Sequence, residues 1–339
     1  MTVVLPDAAG LRRAAELLRA DSVVAFPTET VYGLGAHAFS EKAVAEIYRL
    51  KNRPSWNPLI VHVPTVGEAR KLAAVWPDAA DELAARFWPG PLTLVVRRAP
   101  HLTVVGAAND TIAIRVPAHD VALRLLEAAG LPLAAPSANR SEGLSPTTAE
   151  HVVRGLPDVP LVLDGGACRW GIESTVLDVT GDTPRLLRPG ALSLRAIREV
   201  TGRVALPDEV ADGAVRPSPG MSKRHYAPRA RLMLVDEISQ AERTFVLAEA
   251  GRSQRERTFG LAEAGRSQRE RTFGLVKLAG EPAEDTEILG TDPEHYAADL
   301  YAALHRLDDR GVATIIVQRP PATEEWLAVH DRLNRAAAR

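Results

Sequence analysis

Residues Lys51-Asn-Arg-Pro-Ser-Trp-Asn-Pro-Leu-Ile-Val-His-Val63 set two cations one residue apart in a breaker-rich loop, then enter an apolar strand that carries one histidine. The prolines end the helical pattern before them, and the short apolar run after them reads as a buried strand. In an extended loop Lys51 and Arg53 can converge on one polyanion, the arginine as a two-pronged fork and the lysine as a compact charge. Alone, such a pair reads as two solvated surface cations. A place between a helix end and a buried strand, with Asn57 nearby, favours an anion site.

Upstream, Asp7 to Ala20 forms an amphipathic helical pattern, Val23-Val-Ala-Phe26 a short strand and Pro27-Thr-Glu-Thr-Val-Tyr-Gly-Leu-Gly35 a polar loop. Ser40 is a helix cap before Glu41 to Leu50. Downstream, Thr65–Val75 and Asp78–Phe87 read as helical, Leu92–Arg97 and Thr111–Val116 as strands, and His119–Ala129 as a helix. A strand at Leu161–Asp164 and another at Glu173–Val179 follow, with the loop Ser137 to Pro146 between the two halves. Strands and helices alternate irregularly, so the fold class is mixed α/β. Neither Gly-x-Gly-x-x-Gly after a strand nor Gly-x4-Gly-Lys-Ser/Thr occurs, so a bound nucleotide would need a different cradle.

The 339 residues are enough for two domains. Residues 203–231 are punctuated by Pro207, Pro217, Pro219, Gly220 and Pro228 and read as a linker, with Ser218-Pro-Gly-Met-Ser-Lys-Arg-His-Tyr-Ala-Pro228 inside it. A smaller α/β unit follows, with strands at Leu232–Val235 and Thr314–Val317. Its long helix, Asp292–Asp309, carries Tyr296, Leu300, Leu304 and Leu307 along one stripe. Within it Leu247–Gly260 is copied residue for residue at 261–274. Fourteen residues in two copies make no solenoid, and the plain reading is a duplication in an exposed loop, one copy forming surface helix or little order.

A net charge of −2 argues against bulk nucleic acid as the main partner. The single cysteine, Cys168, leaves no disulfide framework and fits a reducing cytoplasm. Met1–Asp21 shows no cationic stretch followed by an apolar one and is not expected to act as a signal peptide, and no apolar run reaches membrane-spanning length. Lysines are scarce, at positions 42, 51, 71, 223 and 277 only, which adds weight to Lys51.

Other candidate contacts are hydroxyls, amides and arginines. Ser137 and Asn139 alternate in extended chain and can face one ligand, while Ser145 or Thr147 also reads as a cap for the next helix. Arg115 lies on an otherwise apolar strand, where an unpaired charge is costly and a substrate carboxylate is a natural partner. His62 alone reads as a satisfied core residue, and Arg188, Ser174 and Thr175 complete the set. No metal-ligand pair and no Ser-His-Asp spacing is legible, so the inventory fits positioning and electrostatic stabilisation of a phosphorylated ligand.

Pro27–Gly35, Lys51–Pro54 with Asn57-Pro-Leu59, Pro136–Asn139, Ser145–Thr147 and Glu173–Thr175 together resemble the YrdC-like family. Ser218–Met221, His225–Pro228 and the C-terminal unit resemble its long form, threonylcarbamoyl-AMP synthases. Two details depart from that pattern: Ser222 follows Met221 where a lysine is expected, and Pro320–Trp326 lacks a Gly-rich turn.

The resemblance implies a twisted mixed-sheet catalytic domain with a concave cavity over 1–204, a linker over the site at 205–230 and a Rossmann-like domain at 231–339. It implies that L-threonine, bicarbonate or CO2, and ATP with Mg2+ give L-threonylcarbamoyladenylate and pyrophosphate. The product would pass to the machinery that threonylcarbamoylates adenosine 37 of tRNA, without stable tRNA binding by this chain. It also implies that Lys51, Arg53, Asn57, Ser137, Asn139, Ser145 and Arg188 contact ATP, with Thr111 near the nucleotide. Lys51 and Arg53 would be catalytic. Thr30, His62, Arg115 and Ser174 would hold threonine, and Tyr226 would close over the site. The alternative is a non-catalytic RNA-binding module of the same fold. Hydrogenase-maturation carbamoyltransferases carry a related domain, but with the Cys motifs that this chain lacks.

Overall fold

A computed structural model describes residues 1–102, 110–206, 224–238, 273–280 and 285–338. Residues 218–223 of the linker and nearly all of the duplicated segment, 247–272, lie outside them, as does the expectation made for its copies.

The first unit contains β1 (Thr2–Val4), α1 (Ala8–Arg19), β2 (Val24–Phe26), β3 (Gly33–His37), α2 (Glu41–Lys51), β4 (Ile60–His62), α3 (Val66–Lys71) and β5 (Ala73–Val75). It continues with α4 (Asp78–Phe87), β6 (Leu92–Arg98), β7 (Thr111–Arg115), α5 (Asp120–Ala129), β8 (Leu133–Ala134) and α6 (Ala149–Gly155). β9 (Leu161–Leu163), β10 (Thr175–Asp178), β11 (Arg185–Arg188) and α7 (Leu194–Thr201) complete it. One mixed sheet runs β1-β9-β2-β3-β8-β4-β7-β6-β10-β11, with β5 paired to β6. The pleat splits neighbours between two cores. Val24 and Phe26 join Leu11, Leu18 and Leu125 on one face, while Ala25 joins Ile47, Val61 and Ile114 on the other.

Local chemistry sets the helix ends. The Ser40 hydroxyl accepts from the Ala43 amide, and Asn52 ends α2 in the left-handed region. Two sequence expectations fail. The helix expected over 65–75 stops at Lys71 because Ala73–Val75 pairs with the edge of β6. The polar loop expected over 27–35 gives way at Gly33 to a buried strand held between β2 and β8.

The second unit is a parallel sheet, β12 (Arg231–Val235), β15 (Thr314–Gln318), β13 (Phe273–Lys277) and β14 (Thr286–Ile288) in spatial order. It is completed by α8 (Pro293–Asp309) and α9 (Leu327–Ala337); a 3-10 turn, Glu324–Trp326, leads into α9 in the segment that departs from the family pattern. The stripe of Tyr296, Leu300, Leu304 and Leu307 is buried in a core that also takes in Val31, Leu144, Ile172 and Tyr226 from the first unit and the linker. The two units therefore share one apolar core. Gly171 permits their approach: its φ is +64°, and a Cβ there would lie 2.0 Å from the Ala298 carbonyl oxygen of α8.

Candidate functional site

All the buried Lys, Arg, Asp and Glu side chains among the described residues gather in one place. They are Lys51, Arg53, Arg115, Arg188 and Arg332 against Glu29 and Glu173. Five cations facing two carboxylates is an excess that a buried region does not hold without a reason.

The sheet brings them together. His62 ends β4 and Arg115 ends β7; these strands are parallel and the two residues are register partners, so both side chains stand on one face. Burial, with Arg115 alongside, holds the His62 imidazole neutral, its pKa lowered to about 3. Its Nδ1 has no hydrogen-bond partner. Arg115 Nη1 donates to Thr30 Oγ1 at 3.0 Å and Nε to the Gly90 carbonyl at 3.2 Å. Its Nη2 lies 2.8 Å from Glu29 Oε1, a charge contact out of line for a hydrogen bond. Within the chain Arg115 also has the Glu29 carboxylate beside it, whose position inside Thr28-Glu-Thr30 was its only sequence signal.

From the other side β10 and β11 deliver Ser174 and Arg188. Arg188 donates to the Ser174 carbonyl at 2.9 and 3.1 Å and to its hydroxyl at 3.1 Å, and Ser174 Oγ lies 2.8 Å from Thr93 Oγ1. The loop after α2 supplies the remaining cations. Lys51, 1% exposed, donates from Nζ to the carbonyls of Ser137 and Asn139 at 2.6 and 2.5 Å, and burial with Arg53 nearby holds its pKa well below the usual lysine range. Arg53 Nη2 donates to the Pro58 carbonyl at 2.8 Å and Nε to that of Asn57 at 3.3 Å; burial lowers its pKa to about 10. Lys51 thus buttresses the 137–139 loop, and Arg53 reaches the cavity.

Glu173 went unnoticed in the sequence except as part of Glu173-Ser-Thr175. It accepts from Ser145 Oγ at 2.5 Å, Tyr301 Oη at 3.2 Å and Arg332 Nε at 2.8 Å. Burial disfavours the carboxylate, but Arg332, Arg188 and the Ser145 hydroxyl overcome it and hold the pKa at about 2. Ser145 is thus no helix cap, and neither is Thr147; Thr148 caps α6 by accepting from the His151 amide.

Thr28, Thr30, Val31, Arg53, His62, Arg115, Ser137, Ser174 and Arg188 line a cavity into which His225 and Tyr226 of the linker also reach. About 50 Å³ is left inside, room for a few waters and far short of a nucleotide. Tyr226 sits at φ +59°, which costs a bulky residue on the order of 1–3 kcal/mol. Thr111 is not brought to the cavity. It starts β7 opposite Arg97, at the far end of the strand from Arg115. Asn57 and Asn139 are buried beside the cavity wall without lining it; the Asn139 side-chain amide donates to the carbonyls of Arg140 and Gly143.

The fold and site define a two-domain α/β protein with a buried, cation-rich pocket closed by its own linker. The chain belongs to the Sua5/YciO/YrdC family: the model of that family, described as telomere recombination, matches residues 16–190. A second model, the C-terminal domain of threonylcarbamoyl-AMP synthase, matches residues 192–338. The threonylcarbamoyl-AMP synthase of Bacillus subtilis is 41% identical over 333 residues, 96% of this chain and 92% of that protein. That of Pyrococcus abyssi is 39% identical over 331 residues, 96% and 94% of the two chains. The crystal structure of P. abyssi Sua5 complexed with L-threonine superposes with a TM-score of 0.84 at 38% identity, covering 96% of this chain and 94% of that one. A variant of the same protein with a histidine and a tyrosine replaced by alanine gives 0.85 at 35% identity, covering 99% and 96%.

Proposed function

We propose that this chain makes L-threonylcarbamoyladenylate from L-threonine, bicarbonate or CO2, and ATP, as an enzyme of nucleotidyl transfer serving N6-threonylcarbamoylation of tRNA adenosine 37. The observation that carries the reading is the buried excess of cations, for which a triphosphate is the matching counter-charge. A threonine complex of a relative 38% identical over nearly the whole chain supports the amino-acid half.

In this reading threonine lies between Thr30, His62, Arg115 and Ser174. Its carboxylate pairs with the Arg115 guanidinium, which Glu29 and Thr30 hold in orientation. The amine, neutral, takes up CO2 as a carbamate and releases a proton. The neutral His62 adds no second cation beside Arg115, and its unpaired Nδ1 is placed to accept a substrate hydrogen. A carbamate oxygen attacks the α-phosphorus, the bond to the β-phosphate oxygen breaks, and negative charge grows on pyrophosphate. Arg53 and Arg188 face that charge, and Lys51 fixes the Ser137–Asn139 wall behind it.

No cluster of three or more His, Cys, Asp or Glu able to hold a metal occurs among the described residues. Mg2+ would enter with the triphosphate and supply neutralisation of phosphate charge, while Arg53 and Arg188 would hold the phosphates. Product passes to the tRNA-modifying machinery, and no helix among the described residues is long and apolar enough to cross a membrane. We place the reaction in the cytoplasm, where these substrates meet. The alternative RNA-binding reading needs cations on the surface, whereas these are buried.

The test is pyrophosphate release from ATP, assayed with threonine and bicarbonate together, with each omitted, and with serine replacing threonine. Release that needs both supports the reading. Release indifferent to threonine, or none at all with tight RNA binding instead, overturns it.

A further inference from the structure

His151 of α6 and His305 of α8 belong to different domains and lie face to face, with ring centroids 3.8 Å apart and planes 18° from parallel. Neither lines the cavity, and both are tied to the same short segment, Ser145-Pro-Thr147. The Thr147 amide can only donate, so His151 Nδ1 accepts from it at 3.2 Å, and the neutral ring carries its proton on Nε2. The Ser145 carbonyl can only accept, so His305 Nε2 donates to it, also at 3.2 Å. Burial, then the neighbouring His305, Arg154 and Arg306, hold the His151 ring neutral, its pKa lowered to about 3; burial lowers that of His305 as well. Two neutral rings stack at this distance, whereas two imidazolium ions would repel. The catalytic domain holds the rest of the segment: the Tyr32 amide donates to the Pro146 carbonyl and the Cys168 amide to that of Thr147. On its other side Ser145 turns toward the cavity wall. Its buried hydroxyl donates to Glu173 Oε1, and Glu173 lines the cavity with Arg53 and Arg188.

We propose that His305 is a positioning residue for nucleotide binding: stacked on His151, it holds the Ser145 carbonyl from the C-terminal domain and so keeps the Ser145 hydroxyl on Glu173. Without that bond the Ser145 carbonyl loses its donor in a buried place, and the segment turns to recover one. Glu173 then loses the hydroxyl that holds Oε1. A carboxylate freed on that side is drawn toward Arg53 and Arg188, where it competes with an incoming triphosphate. The effect falls on the nucleotide, because His62 and Arg115 are set by the pairing of β4 with β7. The nucleotide part of this inference rests on the function proposed above; the fixing of Ser145 does not.

Two substitutions separate the hydrogen bond from the packing. His305→Phe keeps an aromatic ring on His151 and removes the donor, whereas His305→Gln removes the ring and keeps an amide N–H in the place of Nε2. The first arm needs no ligand: hydrogen exchange of the full-length protein is read in peptides that contain Tyr32, Thr147 and Cys168, with α1 as the reference. Exchange at those three amides should be about tenfold faster in His305→Phe, a loss of about 1.4 kcal/mol, with most of it recovered in His305→Gln and none of it seen in α1. The second arm is pyrophosphate release. The KM for ATP should rise about tenfold in His305→Phe while that for threonine stays within about twofold, and His305→Gln should recover most of the loss. A packing role alone would give the reverse order, with Phe nearer wild type than Gln. Should His305→Phe not fold, His151→Phe and its conservative counterpart His151→Asn, which keeps an acceptor in the place of Nδ1, test the same segment through the Thr147 amide. Wild-type exchange at the three amides in a folded Phe variant, or a KM for ATP that is higher in His305→Gln than in His305→Phe, overturns the proposal. Faster exchange in a protein no form of which binds ATP leaves the Ser145 contact standing and overturns the function.

Discussion

Replacing Lys51 by methionine keeps the stem of the side chain and removes only its ammonium, so it separates the charge from the packing. Two charge-assisted hydrogen bonds disappear, to the carbonyls of Ser137 and Asn139. Each is worth about 1.5–3 kcal/mol, and each carbonyl left without a partner adds a penalty of similar size. Against this stands the desolvation of a buried ammonium that has no carboxylate in ion-pair contact, several kcal/mol by itself. The lost bonds and the stranded carbonyls outweigh the recovered desolvation, so the net effect is a destabilisation of roughly several kcal/mol. Activity responds as well. Without its anchor the Ser137–Asn139 wall shifts, and a misplacement of about 1 Å at a reacting site costs on the order of 10²-fold. The pH dependence supplies an independent check. The pKa of Lys51 is lower folded than unfolded, so between its folded value and about 10.5 the unfolded chain binds more protons and wild-type stability rises with pH. Lys51→Met lacks that slope, so its deficit is largest in alkali and narrows as pH falls. Urea unfolding at several pH values, paired with threonine-dependent pyrophosphate release, measures both. Turnover within about threefold of wild type, a change of only ~0.6 kcal/mol, would refute the assignment of Lys51 to the site.

Gly171→Ala should part the two domains: its Cβ would need to recede by more than an ångström from the Ala298 backbone in addition to the positive φ, and thermal unfolding should show a loss of more than about 2 kcal/mol. A variant as stable as wild type would show that the approach of α8 is not as close as described. For His62 the folded pKa of about 3 lies below the ordinary 6.5, so its stabilising contribution is complete above pH 6.5 and is lost as pH falls from there toward 3. His62→Asn should flatten that part of the acid-unfolding curve, and an unchanged slope would assign it to other groups. Arg115→Lys keeps the charge but loses the planar fork, so the KM for threonine should rise by tenfold or more, the effect of about 1.4 kcal/mol, while the KM for ATP stays near wild type. Equal changes in both would place Arg115 on the nucleotide side.

Sequence reasoning located most of this site because the residues that build it sit in short, punctuated segments. Pro54 and Pro58 bracket the Arg53 loop, and Pro136 precedes Ser137-Ala-Asn139, so each reads as a fixed loop beside an apolar strand. Side chains whose partners come from distant elements escaped it. Nothing near Glu173 announces that Ser145, Tyr301 and Arg332, up to 159 residues away, converge on its two oxygens. The period of the strand Thr111–Arg115 carries no information on which end meets the pocket, and the register with β4 places Arg115 there. The 65–75 helix failed for a related reason, since pairing with β6 outweighed local propensity at Ala73–Val75.

The charge arrangement also accounts for the presence of Tyr226 and His225 in the closed pocket. Buried guanidinium groups without a counter-anion repel one another and must recover some of the hydration they lost. Water could do this in an open cleft, but an open cleft would leave activated intermediates exposed to hydrolysis. An aromatic face partly neutralises a cation without adding formal negative charge that would compete with a triphosphate. Tyr226 stands over Arg332, and His225, held neutral mainly by burial, adds no further positive charge. Among the described residues Glu173 supplies the one carboxylate that lines the cavity, and the domain that supplies its arginine partner also supplies the surface on which the tyrosine rests. A carboxylate fixed permanently in front of Arg53 and Arg188 would oppose an incoming polyanion. One drawn back onto Arg332 stands less directly in front of Arg53 and Arg188, so the C-terminal domain sets the electrostatic potential of the pocket.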